Sequence, residues 1–446
     1  MNRLAVSDAQ FDIPLLGDAF GPSQSQPDDR HVLLLQGPVG PFFAELQKTL
    51  EAQGQSTHRV LFNAADRLMA PRGKNSSSFN GTLATWEMWL FTAFLKDPPK
   101  AIVLFGCNRP VHVVARSAAK DFDVPVISLE EGYLRTGFIT CESGGNNEHS
   151  PFLMGGSAMS GAAEPATPLP LRGAAFWSMR VWATLYYLLR EGLSTPDEAA
   201  LFHRDHTPLR QLVSSWISHA TTRLVAHVLE KPQLRRLGLR PGYVLVPLQV
   251  SSDSQLQAAA RGWSTKRLID SVLRSQAFNG NIDQIVFKLH PLELGGRKLK
   301  QQIMRRARAL GFDETRVIVL HSGRIGELAR DSSGMIVINS TSAFSALHSR
   351  KPVLVLGDAV YRHDSIVTLG ESEGDIASFF QARQSKPQHV IDSFLSELRA
   401  QCLLPGDFYN ARGRKAAIRG IADKLNAIEG TASGDGVGQG YANGLH

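Results

Sequence analysis

Cysteine is scarce in this chain: Cys107, Cys141 and Cys402 are the only three among 446 residues. They lie far apart, are odd in number and show no CxxC spacing. Neither a disulfide framework nor a cysteine zinc site is indicated, and the compartment reads as reducing cytoplasm. A long apolar run is also missing. The nearest approach, Gly173 to Leu189, is interrupted by Arg180 and is shorter than the roughly 20 residues of a spanning helix. Met1 to Arg30 has no basic start and carries Asp8, Asp12 and Asp18, which argues against a secretory signal. No GxxxxGK[ST] phosphate loop occurs, and Gln36-Gly37-Pro38 lacks the spacing of a GxGxxG fingerprint. Dehydrogenase and P-loop kinase readings lose support accordingly. The net charge of +7 comes from Lys and Arg spread along the chain without a dense basic run. That pattern excludes a nucleic-acid tail and favours a phosphate-bearing substrate or an anionic membrane surface.

What the chain does have is alternation. Short apolar runs at His31 to Leu35, Arg59 to Asn63, Ala101 to Phe105 and Val124 to Ser128 read as strands, separated by helical patterns at Phe42 to Gln53, Leu83 to Leu95 and Pro110 to Asp121. A second series follows at Tyr243 to Leu248, Gln284 to Leu289, Val317 to Leu320, Met335 to Ile338 and Val353 to Leu356. The fold class is therefore α/β, with two Rossmann-like domains built on parallel sheets. The expected division is a flexible tail over 1–29, an N-terminal domain over 30–170, a helical connection over 171–235, a C-terminal domain over 236–385, C-terminal helices over 386–429 and a disordered tail over 430–446. Thr140 to Thr167, rich in Gly, Ser, Asn and Ala, reads as a mobile loop or flap rather than part of the sheet.

Three polar motifs follow apolar runs, where parallel sheets collect ligands. Glu130-Glu131-Gly132 offers a carboxylate pair on a turn. Glu131 is the preferred general base and Glu130 an orienting partner, against the plainer reading of two solvated loop carboxylates. In Lys288-Leu289-His290-Pro291, the proline holds His290 extended at a strand tip, and alternation puts Lys288 on the same face. The pair suits a departing phosphate, although a capping His and a wet Lys fit equally. Ser340, Thr341 and Ser342 after Asn339 lead into a helix from Ala343, where amides and hydroxyls suit phosphate oxygens, N-capping being the commoner role. Gln249 and Ser251 follow the first strand of the second series. Gln36 and Gly37 hold the equivalent place in the first, where Gly37 permits close backbone approach.

These residues resemble the bacterial capsule polysaccharide biosynthesis proteins that look like inverting β-Kdo transferases of the lipid-linked capsule linker. The similarity spans roughly Val32 to His363 and includes Leu34 to Pro38 with Pro41 to Phe43, Glu130 to Arg135, Leu248 to Val250, Lys288 to Pro291, and Asn339 to Thr341 with Gly357 and Tyr361. The motifs also look similar to those of bacterial sialyltransferases. The resemblance implies a GT-B-like fold, a CMP-activated sugar such as CMP-Kdo as donor substrate, no cofactor and no metal, and a phospholipid acceptor at the inner-membrane surface. On that pattern Glu131 is the base, His290 contacts the donor phosphate with Ser340, Thr341 and Ser342, and Arg135 lines the acceptor side. Relatives often carry Asp where this chain has Glu131, which leaves the choice between the two glutamates open. Implied partners are a second capsule transferase and the export machinery. The alternatives are a non-catalytic export or assembly protein and a transferase using CMP-sialic acid. Phe176, Trp177, Trp182, Tyr186 and Tyr187 beside Arg172, Arg180 and Arg190 are read as an interfacial face or as core.

Overall fold

The computed structural model describes residues 30–70, 75–134, 137–152, 167–169, 174–202, 241–250, 259–278, 284–291, 293, 295–312 and 315–434, with 210, 214, 216, 221, 225, 226 and 228–239. The expected tail over 1–29, the chain from 435 onward and the 153–166 part of the expected flap lie outside these residues.

Two sheets organise the chain. The first contains β1 (Val32–Leu34), β2 (Thr57–Leu61), β3 (Ser76–Ser78), β4 (Ala101–Phe105), β5 (Val126–Glu131), β6 (Phe138–Ser143) and β13 (Leu403–Pro405), in the order β13-β6-β5-β4-β1-β2-β3. The second contains β7 (Val244–Pro247), β8 (Ile285–Lys288), β9 (Val317–Leu320), β10 (Gly334–Val337), β11 (Val353–Val355) and β12 (Thr368–Leu369), in the order β12-β11-β10-β7-β8-β9. Runs such as Ala101–Phe105 and Ile285–Lys288 are buried at every position, as central parallel strands covered on both faces require. The outcome is the expected mixed α/β architecture of two Rossmann-like sheets with a helical C-terminal segment.

Each sheet has a place where neighbouring crossovers run in opposite directions and leave a crevice at the strands' carboxyl ends. It lies between β1 and β4 in the first sheet and between β7 and β10 in the second.

The structure departs from the sequence expectation in three ways. The stretch read as a loop from Thr140 contains β6, which pairs antiparallel with β5 from Ile127↔Ser143 to Glu131↔Ile139. That partner extends β5 through both glutamates, so they are strand residues and not loop residues. The C-terminal segment, expected as helices alone, also contains a strand. Between helices Gln388–Cys402 and Ala411–Gly434 it supplies β13, which covers the free edge of β6. Finally, Ser76–Ser78 forms an edge strand that no apolar pattern announces.

Helix Ala411–Gly434 packs Ala417, Ile418, Ile421 and Leu425 against Phe42, Leu46 and Leu50 of helix Phe42–Ala52, while helices Leu83–Lys96 and Pro110–Asp121 cover the other face. Below the second sheet lie helices Thr265–Phe278 and Glu373–Gln381. On its upper face the core takes in Tyr133 and Phe138 from the first sheet, so the two units share one apolar contact. Among the described residues, no helix is long and apolar enough to cross a membrane.

Glu230 joins the helical connection to the second sheet. Its buried carboxylate accepts from the backbone N–H groups of His321 (3.0 Å) and Ser322 (2.8 Å) and from the Ser322 hydroxyl (2.6 Å), with Lys300 at 3.5 Å. Burial alone would raise its pKa, but the His321 and Ser322 hydrogen bonds outweigh it and hold the group at about 2. A carboxyl depressed in the folded state stabilises above its ordinary value of 4.5, and that contribution is lost as pH falls from there towards about 2. Glu230→Gln is expected to lower stability at pH 7 by about 2–3 kcal/mol, with the deficit shrinking by pH 3. Urea denaturation at both pH values checks this; a deficit independent of pH contradicts it.

Candidate active site

Strand alternation separates the two glutamates. Ile127 and Leu129 pack with Phe408 and the C-terminal helix, whereas Val126 packs on the opposite face. Glu131 continues the first set, and its Oε1 accepts a 2.7 Å hydrogen bond from the Tyr409 hydroxyl. Tyr409 is buried, and its burial together with the Glu131 charge pushes the phenol well above its ordinary pKa. The hydroxyl therefore stays a donor, which fixes one carboxylate oxygen and leaves Oε2 for other work. Glu130 points to the other side, with its Oε1 accepting from Glu131 N at 3.2 Å. A Cβ placed on Gly106 would lie 3.6 Å from Glu130 Oε2 and 3.3 Å from Arg109 Nε.

Gly132 is needed for a close approach. A Cβ there would stand 2.4 Å from the Phe138 carbonyl oxygen, so only glycine lets β5 turn back against β6. Thr140 braces the same hairpin, donating to Glu131 O at 3.1 Å and accepting from Tyr133 N at 3.2 Å. The next residue reaches across to the second unit. Tyr133 donates to Glu142 at 2.6 Å, and its ring lies 6.2 Å from that of Phe344, just after the serine-threonine run. Phe344 in turn packs on Tyr361 at 5.2 Å, and the Tyr361 hydroxyl donates to Ser340 O at 2.7 Å. Three contacts thus connect the acidic strand to the Ser340 loop.

Within the second unit, strand adjacency gathers the remaining motifs. Gln249 after β7 donates to Asn339 Oδ1 after β10 at 2.9 Å, across the crevice between those strands. Half-buried His290 stands at the end of the neighbouring β8, followed by exposed Pro291. Ser340 Oγ accepts from Ser342 N at 3.2 Å and donates to Ser342 Oγ at 3.1 Å, while Thr341 is half-buried beside them. The helix spans Ala343–His348, and Ser342 occupies its cap without a side-chain capping bond.

Lys288 does not present its charge openly beside His290. It is 6 % exposed, and its ammonium donates to Leu289 O at 2.8 Å and His321 O at 3.1 Å, because the ends of β8 and β9 present those carbonyls to it. Gly37 also has a different reason from the expected one: a Cβ there would meet the Phe43 ring at 2.6 Å, so the glycine serves helix packing. Gln36 is buried, and its carbonyl side accepts from Arg109 Nη1 at 2.9 Å. Arg135 and Ser251 lie outside the described residues.

Sequence reasoning missed Arg109 and Tyr409. For Arg109 a signal existed, since Asn108-Arg109-Pro110 follows an apolar strand and opens a helix with proline in its first turn. Tyr409 offered none, being 278 positions from its partner. The expected interfacial face is divided: Trp177 is 66 % and Val181 62 % exposed, with Arg180 over the Trp177 ring at 5.6 Å, whereas Tyr186 and Arg190 are core. Arg172 and the Phe176 side chain lie outside the described residues.

Residues 100–409 match the model of a family described as capsule polysaccharide biosynthesis protein. The chain is 29% identical over 389 residues to the capsule polysaccharide export protein KpsS of Escherichia coli, covering 84% of this chain and 96% of that protein. It is 31% identical over 343 residues to the capsule polysaccharide modification protein LipB of Neisseria meningitidis, covering 74% and 81% respectively. Among solved structures it is similar to KpsC, beta Kdo 2,7 transferase, of Thermosulfurimonas dismutans, at 12% identity and a TM-score of 0.39, covering 88% of this chain and 99% of that one.

The Gly132 contact generates a direct test. Gly132→Ala is expected to cost about 2–3 kcal/mol, because the atom it meets is backbone and cannot yield without opening the hairpin. Chemical denaturation measures it; a loss under about 0.5 kcal/mol contradicts the packing described.

Proposed function

The chain belongs to the capsule polysaccharide biosynthesis protein family, and from that premise we propose that it is an inverting glycosyltransferase that moves Kdo from CMP-Kdo to a phospholipid acceptor or to its first Kdo. The observation that carries the reading is the contact chain Tyr133–Phe344–Tyr361–Ser340, which ties the carboxylates of one sheet to the hydroxyls at the crevice of the other. In this reading Glu131 Oε2 takes the proton of the acceptor hydroxyl while that oxygen attacks the anomeric carbon of the sugar. The bond from that carbon to the CMP phosphate breaks, and its electron pair leaves on the phosphate. His290 and the hydroxyls of Ser340, Thr341 and Ser342 stabilise the departing charge, Gln249 and Asn339 hold the nucleotide side, and no cofactor or metal takes part. Tyr409 keeps Glu131 in position. Lys288 supports the strand tip that carries His290.

The name of the E. coli relative favours a second reading, a non-catalytic component of capsule export or assembly. Product formation from CMP-Kdo and a lyso-phosphatidylglycerol acceptor separates the two, and a panel including CMP-sialic acid tests the donor. Glu131→Gln is expected to lower turnover by about 10³-fold with CMP binding retained, and His290→Ala to weaken both rate and CMP affinity. Tyr409→Phe is expected to lower kcat by roughly tenfold with little change in KM, the loss of one orienting hydrogen bond. Full activity of Glu131→Gln with an inactive Glu130→Gln would transfer the base role to Glu130, and no product from any donor would favour the export reading.

We further propose that the protein works as a peripheral protein on the inner-membrane face of the cytoplasm. The exposed Trp177 and Val181, four residues apart on helix Ala174–Leu193, support this contact. Trp177→Ser with Val181→Ser is expected to release the chain from vesicles containing anionic phospholipid; unchanged sedimentation contradicts it.

A further inference from the structure

The crevice between β1 and β4 holds a guanidinium that the reaction outlined above leaves unused. Arg109 follows β4 and caps helix Pro110–Asp121, so its side chain turns back over the carboxyl ends of the strands. Its Nη1 donates to Gln36 Oε1 at 2.9 Å, Gly37 O at 3.2 Å and Gln36 O at 3.5 Å, and its guanidinium carbon lies 5.1 Å from the centre of the Phe105 ring. Every one of these partners is uncharged. Among the described residues, Nε and Nη2 donate to nothing and no carboxylate stands within ion-pair distance. The free edge lies over Gly106, whose missing Cβ leaves room beside it, and Glu130 Oε2 borders the same space.

A second arginine, on β2, shares electrostatic partners with the first. Arg59 is 4 % exposed, and its Nε and Nη1 have no hydrogen-bond partner. Both guanidiniums act electrostatically on Asp66 and Tyr186. The Asp66 carboxylate is already held by neutral donors: Tyr186 OH at 2.9 Å, Asn63 Nδ2 at 3.0 Å, Phe62 N at 3.2 Å and Gln36 Nε2 at 3.4 Å. Two cations, one buried and one half-buried, thus share the Asp66 charge without a hydrogen bond to it, and Arg109 also feels the Glu130 charge. Arg59 leaves buried donors unsatisfied, and the Nε–Nη2 edge of half-buried Arg109 has the shape to match two phosphate oxygens.

Resting on the transferase reading, we propose that Arg109 holds the phosphate of the acceptor and selects for a phosphate ester that also carries a free hydroxyl. The phosphate oxygens take the Nε–Nη2 edge over Gly106. The hydroxyl lies towards the Glu130–Glu131 strand end, where the neighbouring carboxylate accepts it. A bare phosphate brings no hydroxyl to the strand end, and a neutral sugar brings no anion to the guanidinium.

Calorimetric titration of the full chain with glycerophosphoglycerol, inorganic phosphate and glycerol tests this without turnover, so it is decided independently of whether transfer is observed. The wild type is expected to bind glycerophosphoglycerol and to bind inorganic phosphate and glycerol at least about tenfold more weakly. Arg109→Gln is expected to lose about tenfold or more in affinity for the diester, and Arg109→Lys, which keeps the charge but not the fork, a smaller part of it. CMP titration of each variant reports that the second unit is intact. Absence of diester binding by the wild type, equal binding by both variants, or inorganic phosphate bound as tightly as the diester would each overturn the proposal.

Discussion

The two sheets meet around Tyr133. Its N–H is taken by Thr140 within the β5–β6 hairpin, its hydroxyl by buried Glu142, and its ring packs towards Phe344 beside the Ser340 loop. Because the hairpin closes only with glycine at 132, the position of the two glutamates and the reach of Tyr133 are set by one backbone approach. The same network extends through Asn146, whose side chain donates to Glu142 and to Ser128 O, and Asn147, whose Oδ1 accepts from Val360 N at 3.4 Å. Most polar groups buried at the join bond to one another, Asn146 Oδ1 being left without a partner, and the network favours a single relative placement of the motifs.

The two units repeat one device with different chemistry. In each, a glutamine after the first strand is bonded across the crevice to the residue that follows the neighbouring central strand: Gln36 to Arg109 in one, Gln249 to Asn339 in the other. The second crevice is neutral and hydroxyl-rich, suited to holding a nucleotide by hydrogen bonds. The first is cationic with the Glu130 carboxylate at its rim and the proposed base Glu131 next in the same strand, suited to binding an acceptor beside the group that deprotonates it. That division is the physical content of the proposed transfer.

Much of this was legible in the chain. Fully buried strands such as Ala101–Phe105 announce themselves by continuous apolar runs, and the motifs at their ends mark the working edge of each sheet. Other features were hidden for identifiable reasons. Ser76–Ser78 has no apolar residue, and β13 is three residues ending in proline, so neither shows a period. The strand β6 begins beside glycine in a polar stretch, and without it β5 is read two or three residues short. That error turned Glu130 and Glu131 into a loop pair, when alternation sends them to opposite faces. At Lys288 the partners were hidden, because strand geometry does not reveal that carbonyls of Leu289 and His321 will capture an ammonium. Tyr409 became a partner of Glu131 only through the return of the C-terminal segment to the first sheet.

The central claim is that both crevices serve one reaction. Hydrogen–deuterium exchange with ligands added in sequence tests it most directly. CMP is expected to protect amides at 248–250, 288–290 and 339–342, and a phosphate-bearing acceptor added afterwards to extend protection to 106–109 and 130–133. Protection by CMP confined to the first sheet, or protection by the acceptor remote from both crevices, would contradict the account.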